Sequence, residues 1–196
     1  MFVGHLKKIL KSGFVILIVF GCQTKQNSPP EIFAADAYEP LMINARKMKI
    51  INSWDMPVKD PFVGHRANPL PSVAIGDWAT HVLRPAGGSG EILFEIKRAS
   101  IVMSALPVSV GLDGLFNDQQ SDKITAEIEA RLIWLQPVGG GRAMASIKAS
   151  HSITTAESAS SNIVSAAIHA ALQGAIARLD GEARRELQKV KRIVLP

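Results

Sequence analysis

Cys22 is the one thiol in a chain of 196 residues. A thiolate is a strong nucleophile, but a single cysteine supports neither an internal disulfide framework nor a multi-cysteine metal site. The histidines, His5, His65, His81, His151 and His169, are scattered, without close metal-ligand spacing or an HExxH pair. No serine stands in GxSxG. The runs Gly87-Gly88-Ser89-Gly90 and Gly139-Gly140-Gly141 lack the GK[ST] of a phosphate loop and fall where turns are needed. Glu127 and Glu129 share one face of an alternating segment and could pair as carboxylates. Arg131 on that face points instead to a solvated, charged surface. Asp113, Asp118 and Asp122 lack the spacing of an EF-hand loop. These residues predict no catalytic set, no metal site and no cofactor, so the protein is read as non-enzymatic.

Other side chains suit contact rather than catalysis. His65 and Arg66 lie in a Pro-rich stretch, either as a partner-binding loop or as ordinary exposed loop residues. Arg184, Arg185, Lys189 and Arg192 form a basic cluster that could meet acidic lipid headgroups. The competing reading is a helix end whose cations complement the macrodipole, and the interleaved Asp180, Glu182 and Glu186 favour it.

The surroundings of Cys22 carry the sharpest signal. His5, Lys7, Lys8 and Lys11 make a positive segment, and Gly13 to Phe20 (GFVILIVF) is apolar. A run this short is a signal-peptide core, since a spanning helix needs about 20 residues. Val19-Phe20-Gly21-Cys22 resembles the lipobox of bacterial lipoproteins, with Phe20 bulkier than the usual residue at that place. The resemblance implies diacylglycerol on the Cys22 thiol, cleavage between Gly21 and Cys22, and an N-acyl chain on the new terminus. Two chains give stable anchoring where one gives marginal binding. Gln23, in place of the Asp that holds many lipoproteins in the inner membrane, implies an anchor in the outer membrane, facing the periplasm. The whole chain has a formal charge of +5; removing residues 1–21, with three lysines and no acid, leaves 175 residues at +2. That balance does not call for a nucleic-acid partner.

Residues 22–40, with three prolines and no helical period, read as a tether, and residues 41–196 as one domain. Met48 and Ile50 mark a first strand over 46–54, followed by a loop over 55–71 containing four prolines. Pro71 opens a helix that runs to about Arg84. Alternation from Ile92 to Ala105 shifts phase at Arg98-Ala99, which predicts a strand with a bulge. After a second loop over 107–122, six period-two matches from Ile124 to Trp134 predict a strand. A triple-Gly turn pairs it with a strand over 143–153, whose apolar face includes His151. Thr154 to Glu157 reads as a helix cap. A stripe from Ile163 to Leu179 makes the last main helix, with His169 on its outer side. Asp180-Gly181 predicts a break before a short terminal helix from Glu182 to Ile193. Trp54, Trp78 and Trp134 are expected as core anchors. This order predicts an α+β two-layer sandwich: a four-stranded, mostly antiparallel sheet covered by two main helices.

The anchor, tether and element order together resemble small envelope lipoproteins of Gram-negative bacteria. In layout the chain is similar to the auxiliary lipoproteins of ABC-type transport systems and to the lipopolysaccharide-assembly lipoprotein. Trp54-x-x-Pro57, Pro61 to His65, Trp78, Gly114-Leu115-Phe116, Gln119-Gln120 and Thr154-Thr155-Ala156-Glu157 look like a group of uncharacterised proteobacterial lipoproteins. The resemblance implies a non-enzymatic accessory in envelope lipid transport or outer-membrane assembly, with an envelope protein as partner. It transfers no residue roles. The alternative is a small-ligand or lipid-binding module, which predicts an apolar cavity between sheet and helices.

Overall fold

Alternating apolar residues set the long strands, and a helical apolar stripe sets the last helix. The chain runs β1 (Leu41–Ile43), β2 (Lys47–Asn52), α1 (Pro71–Val82), β3 (Leu83–Pro85), β4 (Glu91–Ala105), β5 (Gln120–Gln136), β6 (Gly141–Ala156) and α2 (Ser161–Gln188). The structure, a computed structural model, describes residues 33–107 and 120–195. The fold is α+β. Its main sheet has the order β2-β4-β5-β6. The β4–β5 and β5–β6 pairs are antiparallel, whereas β2 pairs with β4 in parallel, so the sheet is mixed. A strand that returns through a helix to the same sheet comes back parallel, and α1 is that crossover. The register shifts between Ile96 and Arg98, at the bulge the phase change predicts.

One face of the sheet is covered. Ile92, Phe94 and Ile96 from β4, Ile124 to Leu132 at alternate positions of β5, and Ile147 and Ala149 from β6 are buried with Ile75 and Trp78 of α1 and Ile168, Leu172 and Ile176 of α2. Small residues on β6 and α2 (Ala145, Ala149, Ala167, Ala171, Ala175) let helix and strand approach closely. Trp78 is fully buried, tilted at 54° to Phe94 with ring centroids 5.8 Å apart, and its Nε1 donates to Asp180 Oδ1 at 3.1 Å. Trp134 donates from Nε1 to the Asn44 carbonyl at 2.8 Å. Both rings bury large apolar area while their N–H groups stay satisfied.

Several expectations are corrected. The strand expected over 46–54 is β2, shorter at Lys47–Asn52, and a further strand, β1, precedes it at Leu41–Ile43. The first helix stops at Val82 because Leu83–Pro85 pairs in parallel with β1 as a separate two-stranded sheet. The cap expected at Thr154–Glu157 is strand, since Thr154 and Thr155 pair with Lys123 and Asp122. The N-cap is Ser160, whose Oγ accepts from Ile163 N at 3.4 Å. The expected break at Asp180-Gly181 is absent, and α2 continues to Gln188. Asp180 is held helical by one distant partner and one local one: it accepts from Trp78 of α1 and, at 2.7 Å, from Arg184 Nε one turn further along α2. Phe33 and Tyr38 pack against the core around a 3-10 turn at Ala35–Ala37. Ordered packing therefore reaches back into the segment expected as tether. His169 does not point freely outward. Its Nδ1 lies 2.8 Å from the Ser165 carbonyl, and its Nε2 lies 3.0 Å from the Asn68 amide nitrogen, which fixes the Pro-rich loop to α2.

The chain closes on itself. Asn44 N donates to the Ile193 carbonyl at 2.8 Å and Leu195 N to the Met42 carbonyl at 2.7 Å, with a bridge between Ile43 and Val194. β1 is therefore held between β3 on one side and residues 193–195 on the other.

Candidate functional site

The second face of the main sheet carries no helix. Alternation sends to it Ile51 of β2, Leu93 and Glu95 of β4, the odd-numbered residues Glu127 to Leu135 of β5, and Arg142 to Ser152 at even numbers of β6. The bulge re-aims Arg98 onto the same face, opposite Glu129.

At the middle of this face Glu95 is 8 % exposed and fully engaged. Its Oε1 accepts from Ser53 Oγ at 2.8 Å and Lys97 Nζ at 3.2 Å, and its Oε2 accepts from Arg131 Nε at 3.0 Å and Nη2 at 2.5 Å. Hydrogen bonds from Arg131, and then from Ser53, hold its carboxyl down at about 2. Glu129 accepts from Lys148 at 2.6 Å, which lowers its pKa too. Arg98 reaches Glu127 at 3.4 Å and lies 5.6 Å from the Trp54 ring centroid. Around Arg98, Glu127, Glu129 and Lys148 is a shallow depression of about 410 Å³. Its charges are matched, as the charged-face reading of Glu127, Glu129 and Arg131 predicts.

The other end of the face is apolar. Ile51, Leu93, Ile133 and Leu135 line a groove of about 510 Å³ bordered by Lys47, Lys49, Glu91 and Arg142. Met144 stands opposite Ile133 and is 60 % exposed; Leu135 is 44 % exposed. Lys47 and Arg46 both pair with Glu91, at 3.0 and 2.9 Å, whereas Lys49 and Arg142 have no ion-pair partner among the described residues. The sequence carried a signal for this patch: Leu93, Ile133 and Leu135 fall on the polar phase of their strands. This is a surface groove, not the chamber between sheet and helices that a ligand-binding module predicts.

The side chains singled out by sequence are dispersed. His65 and Arg66 are exposed in a 3-10 turn at Gly64–Arg66. Arg184 is committed to Asp180 and to the Glu39 carbonyl, Arg185 pairs with Glu182, and Lys189 pairs with Glu186 at 2.6 Å. Arg192 is exposed in a left-handed backbone conformation with φ of 68°. His151 lies half-buried with its ring against Gly174 of α2, as a core-side histidine should. Trp54 is only half-buried, beneath Arg98. Val19, Phe20, Gly21 and Cys22 lie outside the described residues, as do Asp113, Asp118, Gly114 to Phe116 and Gln119. No cluster of three metal-ligating side chains occurs among the described residues. None of their helices is long and apolar enough to cross a membrane. No protein-family model and no curated protein matches the chain.

Proposed function

We propose that this protein is a lipid-anchored, periplasm-facing accessory of the envelope, carried on the outer membrane by acyl chains at Cys22, and that it acts by contact rather than catalysis in lipid transport or outer-membrane assembly. The observation that carries this reading is the uncovered apolar patch of Ile51, Leu93, Ile133, Leu135 and Met144 on a sheet face whose other end is ion-paired. Contiguous exposed apolar surface rimmed by polar residues marks a site of interaction. The lipobox-like Val19 to Cys22 supplies the address.

The same groove favours a second reading. Lys49 and Arg142 flank it without carboxylate partners, a disposition suited to an acyl chain with an anionic headgroup. The two readings separate in one preparation. A photoreactive amino acid replaces Met144, the protein is crosslinked in cells and recovered in mild detergent, and adducts are identified by mass spectrometry. Adducts with envelope transport or assembly proteins support the accessory role; adducts with lipid alone support the ligand-binding role; an uncrosslinked monomer rejects both. The anchor is tested separately. Cys22→Ser should leave the chain unprocessed and unacylated, and a variant with unchanged mass and membrane extraction would overturn the lipoprotein reading.

A further inference from the structure

The outer edge of β6 has no strand beside it among the described residues, although β6 runs from Gly141 to Ala156. Long edges are pairing templates, and folds usually blunt them with prolines, bulges or a covering element. β6 has no proline, and its one register irregularity lies at the far end, opposite Gln120 to Asp122. The Ser150 carbonyl points away from β5, because it accepts from Arg178 Nη1 of α2 at 2.7 Å. Strand alternation then directs the amide and carbonyl groups of Ser146, Lys148 and Ser152 to the same open edge.

A groove of about 460 Å³ lies along this edge, lined by Lys148, Ser150, Arg178, Gly181, Glu182 and Arg185. Glu182 is matched by Arg185 and Lys148 is shared with Glu129 across the sheet, while Arg178 has only a carbonyl. The groove is thus net cationic. Its floor is opened by Gly181: a Cβ there would meet nothing within 4 Å, whereas seven residues earlier, on the same helix face, Gly174 is filled by the His151 ring.

We propose that the β6 edge and this groove receive an extended, acidic segment of a partner protein, added as a fifth strand to the main sheet. An incoming amide takes the Ser150 carbonyl, the released Arg178 guanidinium meets a carboxylate of the same segment, and a bulky side chain of the segment fills the space above Gly181. Main-chain bonds supply affinity and the groove supplies specificity. A second copy of this chain is a poorer occupant, because an antiparallel β6–β6 pair centred on the strand would oppose two Lys148 side chains. This inference names a partner class and a mode for the accessory role proposed above, but it concerns a different surface from the apolar patch and its test is independent of acylation.

The test uses the full chain in mild detergent and isothermal calorimetry with two ten-residue peptides. Both alternate valine and threonine around one phenylalanine, and they differ only in carrying three glutamates or three lysines. The expected result is saturable binding of the glutamate peptide, at least tenfold tighter than the lysine peptide and weakened by salt. Ser150→Pro removes an outward amide and Gly181→Leu fills the groove; each should weaken binding at least tenfold, with the thermal midpoint held in the first and held or raised in the second. Should Ser150→Pro unfold the protein, Gly181→Leu alone decides. Equal affinity for both peptides, no saturable binding, or binding untouched by Gly181→Leu would overturn the proposal. So would self-association, seen by ultracentrifugation, that Ser150→Pro abolishes, since that assigns the edge to a second copy.

Discussion

Glu95 concentrates on one carboxylate what the open face otherwise distributes over pairs. Four donors from Ser53, Lys97 and Arg131 saturate its oxygens and hold its carboxyl at about 2. Because the folded state lowers this pKa below its ordinary value of 4.5, the group stabilises the fold above about pH 4.5 and loses that contribution as pH falls toward 2. Urea unfolding at pH 6, 4 and 2 should therefore find Glu95→Gln less stable than the parent at pH 6, with the gap narrowing through pH 4 and closing near 2. A gap independent of pH would mean that Glu95 acts by shape alone. The sequence placed Glu127, Glu129 and Arg131 on a solvated face. It could not single out Glu95, whose partners Ser53 and Arg131 come from distant positions and meet only through sheet register.

The two glycines of α2 predict opposite outcomes for the same substitution. Gly181 is an exposed helix-interior glycine with open space at its Cβ position, so Gly181→Ala should stabilise by about 0.5–1 kcal/mol through helix propensity. Gly174→Ala would drive a methyl into the His151 ring and should destabilise by about 1–3 kcal/mol. His151→Ala in the same chain should recover part of that loss, and a double-mutant cycle by chemical denaturation checks it. Elements with strong local periodicity were readable in advance: the β5–β6 hairpin, the β4 bulge at Arg98 and the α2 stripe. Those decided by distant contacts were not. β1 and β3 are three residues each and exist only through non-local pairing. Asp180-Gly181 looks like a break locally but is overruled by the bond from Trp78, 102 residues away.

At the scale of the whole molecule, closure of the chain is a stability determinant that no local pattern announces. Ile193 is fully buried beside Ile43, and its carbonyl holds Asn44. Ile193→Ala should cost about 2–5 kcal/mol, a loss read by urea titration and larger than that of Val138→Ala on an exposed loop, where little change is expected. The parallel β2–β4 pairing was likewise invisible strand by strand, and follows only when the α1 crossover is taken with both strands.

The seating of residues 193–195 against β1 also has a consequence in time. The lock between Ile43 and Val194 joins segments from nearly opposite ends of the described chain, so it forms only after almost everything between has been synthesised. Long-range closures of this kind are slow to form. A chain emerging segment by segment would keep Ile43 and its neighbours without their last cover until residues 193–195 arrive.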